Sequence, residues 1–246
     1  MGVQDRRHGA GGRGQQHGTG GRDQQHGTDG RAEGTRSDRV SATRTRILDA
    51  AERLFAEHGV HAVSNRAVAE AAGQGNNTVV GYHFGTKADL VRALIRRHSA
   101  AMDTRRERMV AALGPDPGVR DWVDCLVRPA AEHLADLGSP TWYARFGAQV
   151  MTDPALREIM VAGSLASPSL TTVLDGLNDC LPALPVEVRL ERGDICRQLL
   201  VHHFAQRERA LADGTPTPRA SWADAATGLA DAIVGVWTSP VTGRAD

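Results

Sequence analysis

Asn76, Asn77 and Thr78 stand in succession after Gly75, and Tyr82, His83 and Lys87 follow within nine residues of Thr78. These side chains suit a nucleic acid better than a reaction. An asparagine amide can pair bidentately with adenine N6 and N7, and a threonine can meet a thymine methyl or a phosphate. Lys87 is the only lysine in the sequence. It falls in the first turn of a helix announced by Thr86-Lys87-Ala88-Asp89, a capping-box pattern. A cation there opposes the helix dipole. A phosphate drawn to the same N-terminus would turn that opposition into attraction, so Lys87 is a candidate phosphate ligand.

Such residues need elements to hold them. Ser64 can cap a short alanine-rich helix whose Val68, Ala71 and Ala72 face inward and which stops at Gly73. After Gly73-Gln74-Gly75, a second short helix is expected over Asn76 to Tyr82, anchored by Val79 and Val80. Two short helices joined by a glycine-bearing turn form the helix-turn-helix pattern, whose second helix enters the DNA major groove. One asparagine is expected to cap that helix and the other to read a base. Upstream, Ile47, Leu48, Ala51, Leu54 and Phe55 make one apolar stripe on a helix from Ser41 or Thr43 to His58, with Gly59 as its stop. Arg44 and Arg46 at its start are candidates for the DNA backbone, while Arg53 reads as solvated surface. Leu90, Leu94 and Ile95 continue the helix opened by Thr86 to about Leu113, and that helix is the expected link to the rest of the chain.

The formal charge is zero but unevenly spread. Residues 1–39 carry 7 Arg against 5 acids, residues 40–98 carry 8 basic against 5 acidic side chains, and residues 99–246 carry 14 Arg against 19 acids. A basic N-terminal block on an acidic body suits a chain that meets phosphate at one end. Residues 1–40 are low-complexity, with Gly-Arg-x-Gln-Gln-His-Gly-Thr at Gly12–Thr19 and again at Gly21–Thr28. With so little apolar material they are expected to be a disordered tail. An inert extension, an arginine-bearing minor-groove arm and a histidine metal tail all remain open for them. Three cysteines (Cys125, Cys180, Cys196) lack metal-ligand spacing, and no metal or cofactor is expected. No membrane-length apolar run or secretory leader is visible, so a cytoplasmic protein is expected.

From residue 115 the punctuation is helical throughout. Segments are expected over Pro117–Leu137 with a kink at Pro129, Pro140–Met151, Asp153–Val161, Ser167–Leu181, Pro185–Leu211 and Ser221–Trp237. No β-alternation competes, and the fold class is all-α. His202 and His203 with Glu208 or Asp194 could suggest acid–base or metal chemistry, but adjacent histidines point to different helix faces. No nucleophile elbow, Walker loop or zinc motif is present, so the chain does not read as an enzyme.

The run Ile47-Leu48-Asp49-Ala50-Ala51, then Leu54 to Gly59, Ser64, Val68-Ala69, Ala72-Gly73 and Tyr82-His83-Phe84-Gly85-Thr86-Lys87 resembles the TetR family of transcriptional regulators. Asn76 to Gly85 is similar to a subgroup with an Asn-Asn-Ser-Ala-Val-x-Tyr-His-Phe-Gly turn. The likeness is specific over residues 44–95. One departure stands out: counted back from His83-Phe84, the family's phosphate-binding tyrosine falls on Gly81, which puts the register of Tyr82 in doubt.

The resemblance implies that Ser64, Asn76, Asn77, Thr78, Tyr82, His83 and Lys87 lie on the DNA-facing side, and Arg66 in the same region joins them. Phe84 would be core. It implies a three-helix DNA-binding domain over 41–98 and a helical ligand-binding and dimerisation domain over 99–240. In the latter, middle helices would enclose an apolar effector, and the last two long helices would pair in a homodimer on a palindromic operator. Trp122, Cys125, Leu126, Trp142, Phe146, Met151 and Met160 are the candidate cavity residues. The expected partners are double-stranded DNA, a second copy and a small effector, and the expected role is a repressor. The competing reading is a ligand-binding or scaffolding protein of the same fold that has lost specific DNA reading.

Overall fold

The computed structural model describes residues 29–242, and all of their regular structure is helical. The chain divides into two units, Met1–Ala42 and Thr43–Asp246. Most of the low-complexity tail, with the histidines at 8, 17 and 26, lies outside the described residues. Ten helices are described: α1 (Asp29–His58), α2 (Asn65–Ala71), α3 (Val79–Phe84), α4 (Lys87–Ala111), α5 (Val119–Leu137), α6 (Tyr143–Thr152), α7 (Pro154–Leu165), α8 (Pro168–Cys180), α9 (Val186–Ala212) and α10 (Trp222–Thr238). No helix among these residues is long and apolar enough to cross a membrane.

Caps set most of these ends. The Ser64 hydroxyl accepts from the Ala67 amide at the start of α2, Thr86 and Asp89 complete a reciprocal capping box on α4, and Ser221 and Asp224 do the same on α10. Asp153 and Ser167 cap α7 and α8, each with proline as the next residue. The first helix departs from expectation by starting at Asp29, because Ser41 and Thr43 lie within a run whose upstream residues also sustain helical bonding. The third helix starts at Val79 rather than Asn76, for a reason given below. Ala69, not Ala71, faces inward on α2: Ala71 is exposed and Ala69 is fully buried. The α5 helix runs through Pro129 without a break in assignment.

Two apolar clusters fill the second unit, and they do not follow a cut at residue 98. The first gathers Ile47, Leu48, Ala51, Phe55, Val68, Val80, Phe84, Leu90 and Leu94 around α1–α4, and also takes Phe146 and Val150 from α6 and Leu156 from α7. Phe55 and Phe146 stack with ring centroids 6.3 Å apart. The second cluster joins α5, α8, α9 and α10 through Val123, Val127, Leu134, Leu177, Phe204, Leu229 and Ile233. Helix α6 serves both, since Ala144 belongs to the second cluster and Tyr143 packs against each.

Its N-terminus is pinned from α9. Glu208, only 1% exposed, accepts from the Ala144 amide (3.1 Å), the Arg145 amide (2.8 Å) and Arg145 Nε (3.1 Å). Burial pushes its acid strength down, raising its pKa, while these bonds and the Arg145 charge pull the other way. Glu208 is therefore a helix cap and not a partner of His202 or His203, both of which are exposed. Replacing Phe146 by Ala should cost about 3–5 kcal/mol, as for a large aromatic removed from a closed core. Denaturant melts followed at α1–α4 and at α9–α10 should both shift, and a shift confined to one region would refute the shared role of α6.

Candidate nucleic-acid interface

The turn between α2 and α3 is built by side chains as much as by glycine. Gly73 adopts a left-handed φ of 68° as α2 ends. The Asn76 Oδ1 then accepts from the Thr78 amide at 2.9 Å and from the Thr78 hydroxyl at 2.8 Å. This Asx turn consumes Asn76 and delays α3 to Val79, which is why the helix starts later than propensity suggests. Asn77 is exposed and makes no hydrogen bond among the described residues. Neither asparagine caps α3, whose N-cap position is Thr78 without a side-chain cap bond; Asn76 closes the turn before it.

Val80 and Phe84 bury the inner face of α3, leaving Tyr82 at 84% exposure on the outer one. Its ring meets His83 edge-on with centroids 5.1 Å apart. A Cβ at Gly81 would meet no atom within 4 Å, so the glycine is not required by packing and lies on the same open surface. Ser64 is a helix cap, and the exposed Arg66 pairs with Glu70 at 2.8 Å on its own helix. Arg46 is exposed and, among the described residues, donates to the Thr43 hydroxyl at 3.3 Å.

Two basic candidates have work inside the fold. Arg44 donates to the His83 carbonyl at 2.8 Å and lies 4.2 Å from the centroid of the Phe84 ring, tying α1 to the C-terminus of α3. The Lys87 ammonium donates to the carbonyls of Val60 (3.1 Å) and Val63 (2.6 Å), closing the α1–α2 turn against α4. Sequence patterning sees neither role, because the acceptors are backbone atoms distant in the chain.

Behind this surface lies a polar seam that sequence reasoning missed. Buried His98 of α4 bonds through Nε2 to Glu52 of α1 at 2.7 Å, and through Nδ1 to His133 of α5 at 2.8 Å. Its ring also stacks on Tyr143 of α6, centroids 3.9 Å apart. In the neutral tautomer that donates Nε2–H to the carboxylate, His98 Nδ1 accepts the proton carried by His133 Nε2. Burial, then the nearby His98, Arg105 and Arg97, push His133 down to about 4, with Asp136 opposing. One sequence signal existed: Glu52 and His98 stand four residues after Leu48 and Leu94, as polar residues on apolar stripes. A second long-range contact joins exposed His61, in the α1–α2 turn, to Asp153 at the start of α7 (2.9 Å).

The expected cavity residues do not gather at one place. Phe146, Trp142 and Met160 belong to or pack on the first cluster, whereas Trp122 packs on the second and covers Gly176. Cys125 is buried, with its thiol pushed up to about 11 by burial, and Met151 contacts Arg197.

A capped short helix, a glycine turn and a second short helix with its polar face outward, all seated on α1 and α4, define a helix-turn-helix protein. Comparison makes this specific. Residues 47–94 match the family model "Bacterial regulatory proteins, tetR family", and residues 124–235 match "Tetracyclin repressor-like, C-terminal domain". The chain carries the N-terminal and C-terminal domains of the TetR family. It is similar to the HTH-type transcriptional repressor LfrR of Mycolicibacterium smegmatis, 33% identical over 114 residues, 46% of this chain and 55% of that one. It is also similar to the HTH-type transcriptional repressor AcnR of Corynebacterium glutamicum, 32% identical over 91 residues, 35% of this chain and 48% of the relative. The chain thus spans about half the length of the curated relatives it matches. The crystal structure of Mycobacterium smegmatis AmtR shares the fold, with a TM-score of 0.52 at 20% identity, covering 81% of this chain and 87% of that one.

Lys87→Ala should cost about 1–3 kcal/mol by leaving two carbonyls without their donor, read as a lower melting temperature in the absence of DNA. An unchanged melt would free Lys87 from this structural role. His133 binds its proton more weakly folded than unfolded, so stability should fall as pH drops from the unfolded value of 6.5 towards about 4. The loss between pH 7 and pH 5 should be about 2 kcal/mol. His133→Gln should flatten that slope, and an identical slope would show that other groups set it.

Proposed function

We propose that this chain is a homodimeric, ligand-responsive DNA-binding repressor that leaves a palindromic operator when an effector binds. The observation that carries the reading is the open face of α3 and its turn, where Asn77 and Tyr82 project to solvent while the rest of the turn is internally bonded. Asn77 is assigned to base reading. Thr78, Tyr82, Arg46 and Arg66 are assigned to phosphates, and His83 and Ser64 to holding the backbone that carries them. Lys87 and Arg44 act chiefly by positioning, with Lys87 keeping one N–H for a phosphate. The repressor names of two relatives support the same reading.

Residues 41–98 form the reading head and 99–240 the effector and dimer body. The pairing surface is α9 and α10, and α9 leaves Val186 and Leu190 about 70% exposed, apolar area that a second copy would cover. An effector bound more tightly by a state with the wrong spacing between heads would release DNA by shifting populations. Helix α4 carries His98 and α6 carries Phe146 and Tyr143, so both reach from body to head.

Selection from random DNA should yield a palindrome, and recovery of no motif at low salt would sink the reading. Asn77→Ala should relax preference at particular positions by about 1–3 kcal/mol, whereas Arg46→Ala should weaken all sites alike and reduce the salt slope by about one. Identical behaviour of the two variants would void the division into base and phosphate contacts.

A further inference from the structure

Arg106 of α4 is 7% exposed and held in the interior by two bonds. Its Nη1 donates to Asp103 Oδ1 at 2.6 Å and to the Ser169 hydroxyl at 3.2 Å. Its Nε is buried and meets no acceptor among the described residues. Arg207 also has an unmet Nε, but its guanidinium lies over the Trp222 ring at 5.1 Å. No aromatic face is paired with Arg106 in this way among the described residues. A donor left so costs about 1–3 kcal/mol, a cost that a bound acceptor would remove.

The surroundings narrow what that acceptor is. The Asp103 Oδ1 accepts from Arg106, from the Ser167 hydroxyl (2.6 Å) and from the Ser169 hydroxyl (3.2 Å). Ser167 also caps α8, accepting from the Leu170 amide at 3.2 Å, so the positive end of that helix and the guanidinium share one partly exposed carboxylate. The local charge is closed. A second anion would be set against Asp103, and a cation against Arg106, whose 7% exposure makes that repulsion stronger than in water. An uncharged carbonyl oxygen satisfies Nε without opening the balance. Burial lowers the Arg106 pKa, and Cys125 and Tyr143 lie near enough to feel its charge. Tyr143 packs against both apolar clusters and stacks on His98, which bonds to Glu52 of α1.

We infer that Arg106 is the polar recognition point for the effector, and that the effector is an uncharged, largely apolar molecule carrying a carbonyl acceptor. This rests on the effector-responsive reading above and names the ligand class for it.

Calorimetry on the full chain with 2-nonanone, nonanoate and nonyltrimethylammonium as probes tests the assignment. Wild type should bind the ketone at least about tenfold more tightly than either ion. Arg106→Lys keeps the charge opposite Asp103 but has no Nε at that point, and should lose about tenfold for the ketone alone. Equal or tighter binding of an ion, no binding of the ketone, or unchanged ketone affinity in the lysine variant would each overturn the inference. Should that variant not fold, the pair Asp103→Asn with Arg106→Met removes both charges together, and retention of ketone preference there would overturn it equally. Operator binding by unliganded wild type is measured separately. Its failure would count against the repressor, and the calorimetry would still decide the ligand class.

Discussion

A carboxylate withdrawn from water has to find donors, and Glu208 finds them on the first turn of α6. That single requirement places α6. Once its start is fixed against α9, Phe146 and Val150 reach the cluster around α1–α4, and Tyr143 reaches the seam between the two clusters. Two apolar cores that could have slid past one another are held in register by one helix carrying residues for each. Removing the carboxylate's partners would leave an uncompensated buried charge, which is costlier than losing an exposed pair.

The seam shows what a polar layer between two cores can do. Glu52, His98, His133 and Tyr143 come from four helices, and each polar contact has a direction and a small set of allowed proton positions. Apolar contacts tolerate sliding, whereas a chain of ring nitrogens and a carboxylate is met at one geometry or lost. Such a layer favours discrete arrangements over continuous deformation, which suits the effector response proposed above.

The helical class, the helix-turn-helix and most later helices were legible because caps, prolines and apolar stripes are local signals. Ser64 caps α2 as read, and Asp153, Ser167 and Ser221, where segments were expected to start, turn out to be caps as well. The errors share a cause in non-local bonding. Propensity started α3 at Asn76, but an Asx bond to Thr78 competes with the helix there. Charge offered Arg44 and Lys87 to DNA without revealing their second role, bonds to carbonyls 39 and at least 24 residues away in sequence. Apolar side chains were collected into one cavity by type, but type does not say which of two clusters a side chain joins. Arg106 carried no signal, since an arginine on a helix rich in arginines reads as surface until its burial is known.

The engagement of Lys87 has a practical side. With one lysine in 246 residues, amine-directed reagents have a single side-chain target besides the chain terminus. That amine is half-buried and already donates to the Val60 and Val63 carbonyls, which hold it away from an incoming reagent. Its acylation rate therefore reports how often the α1–α2 turn lets go of α4. The molecule carries its own chemical clock for the opening of the reading head.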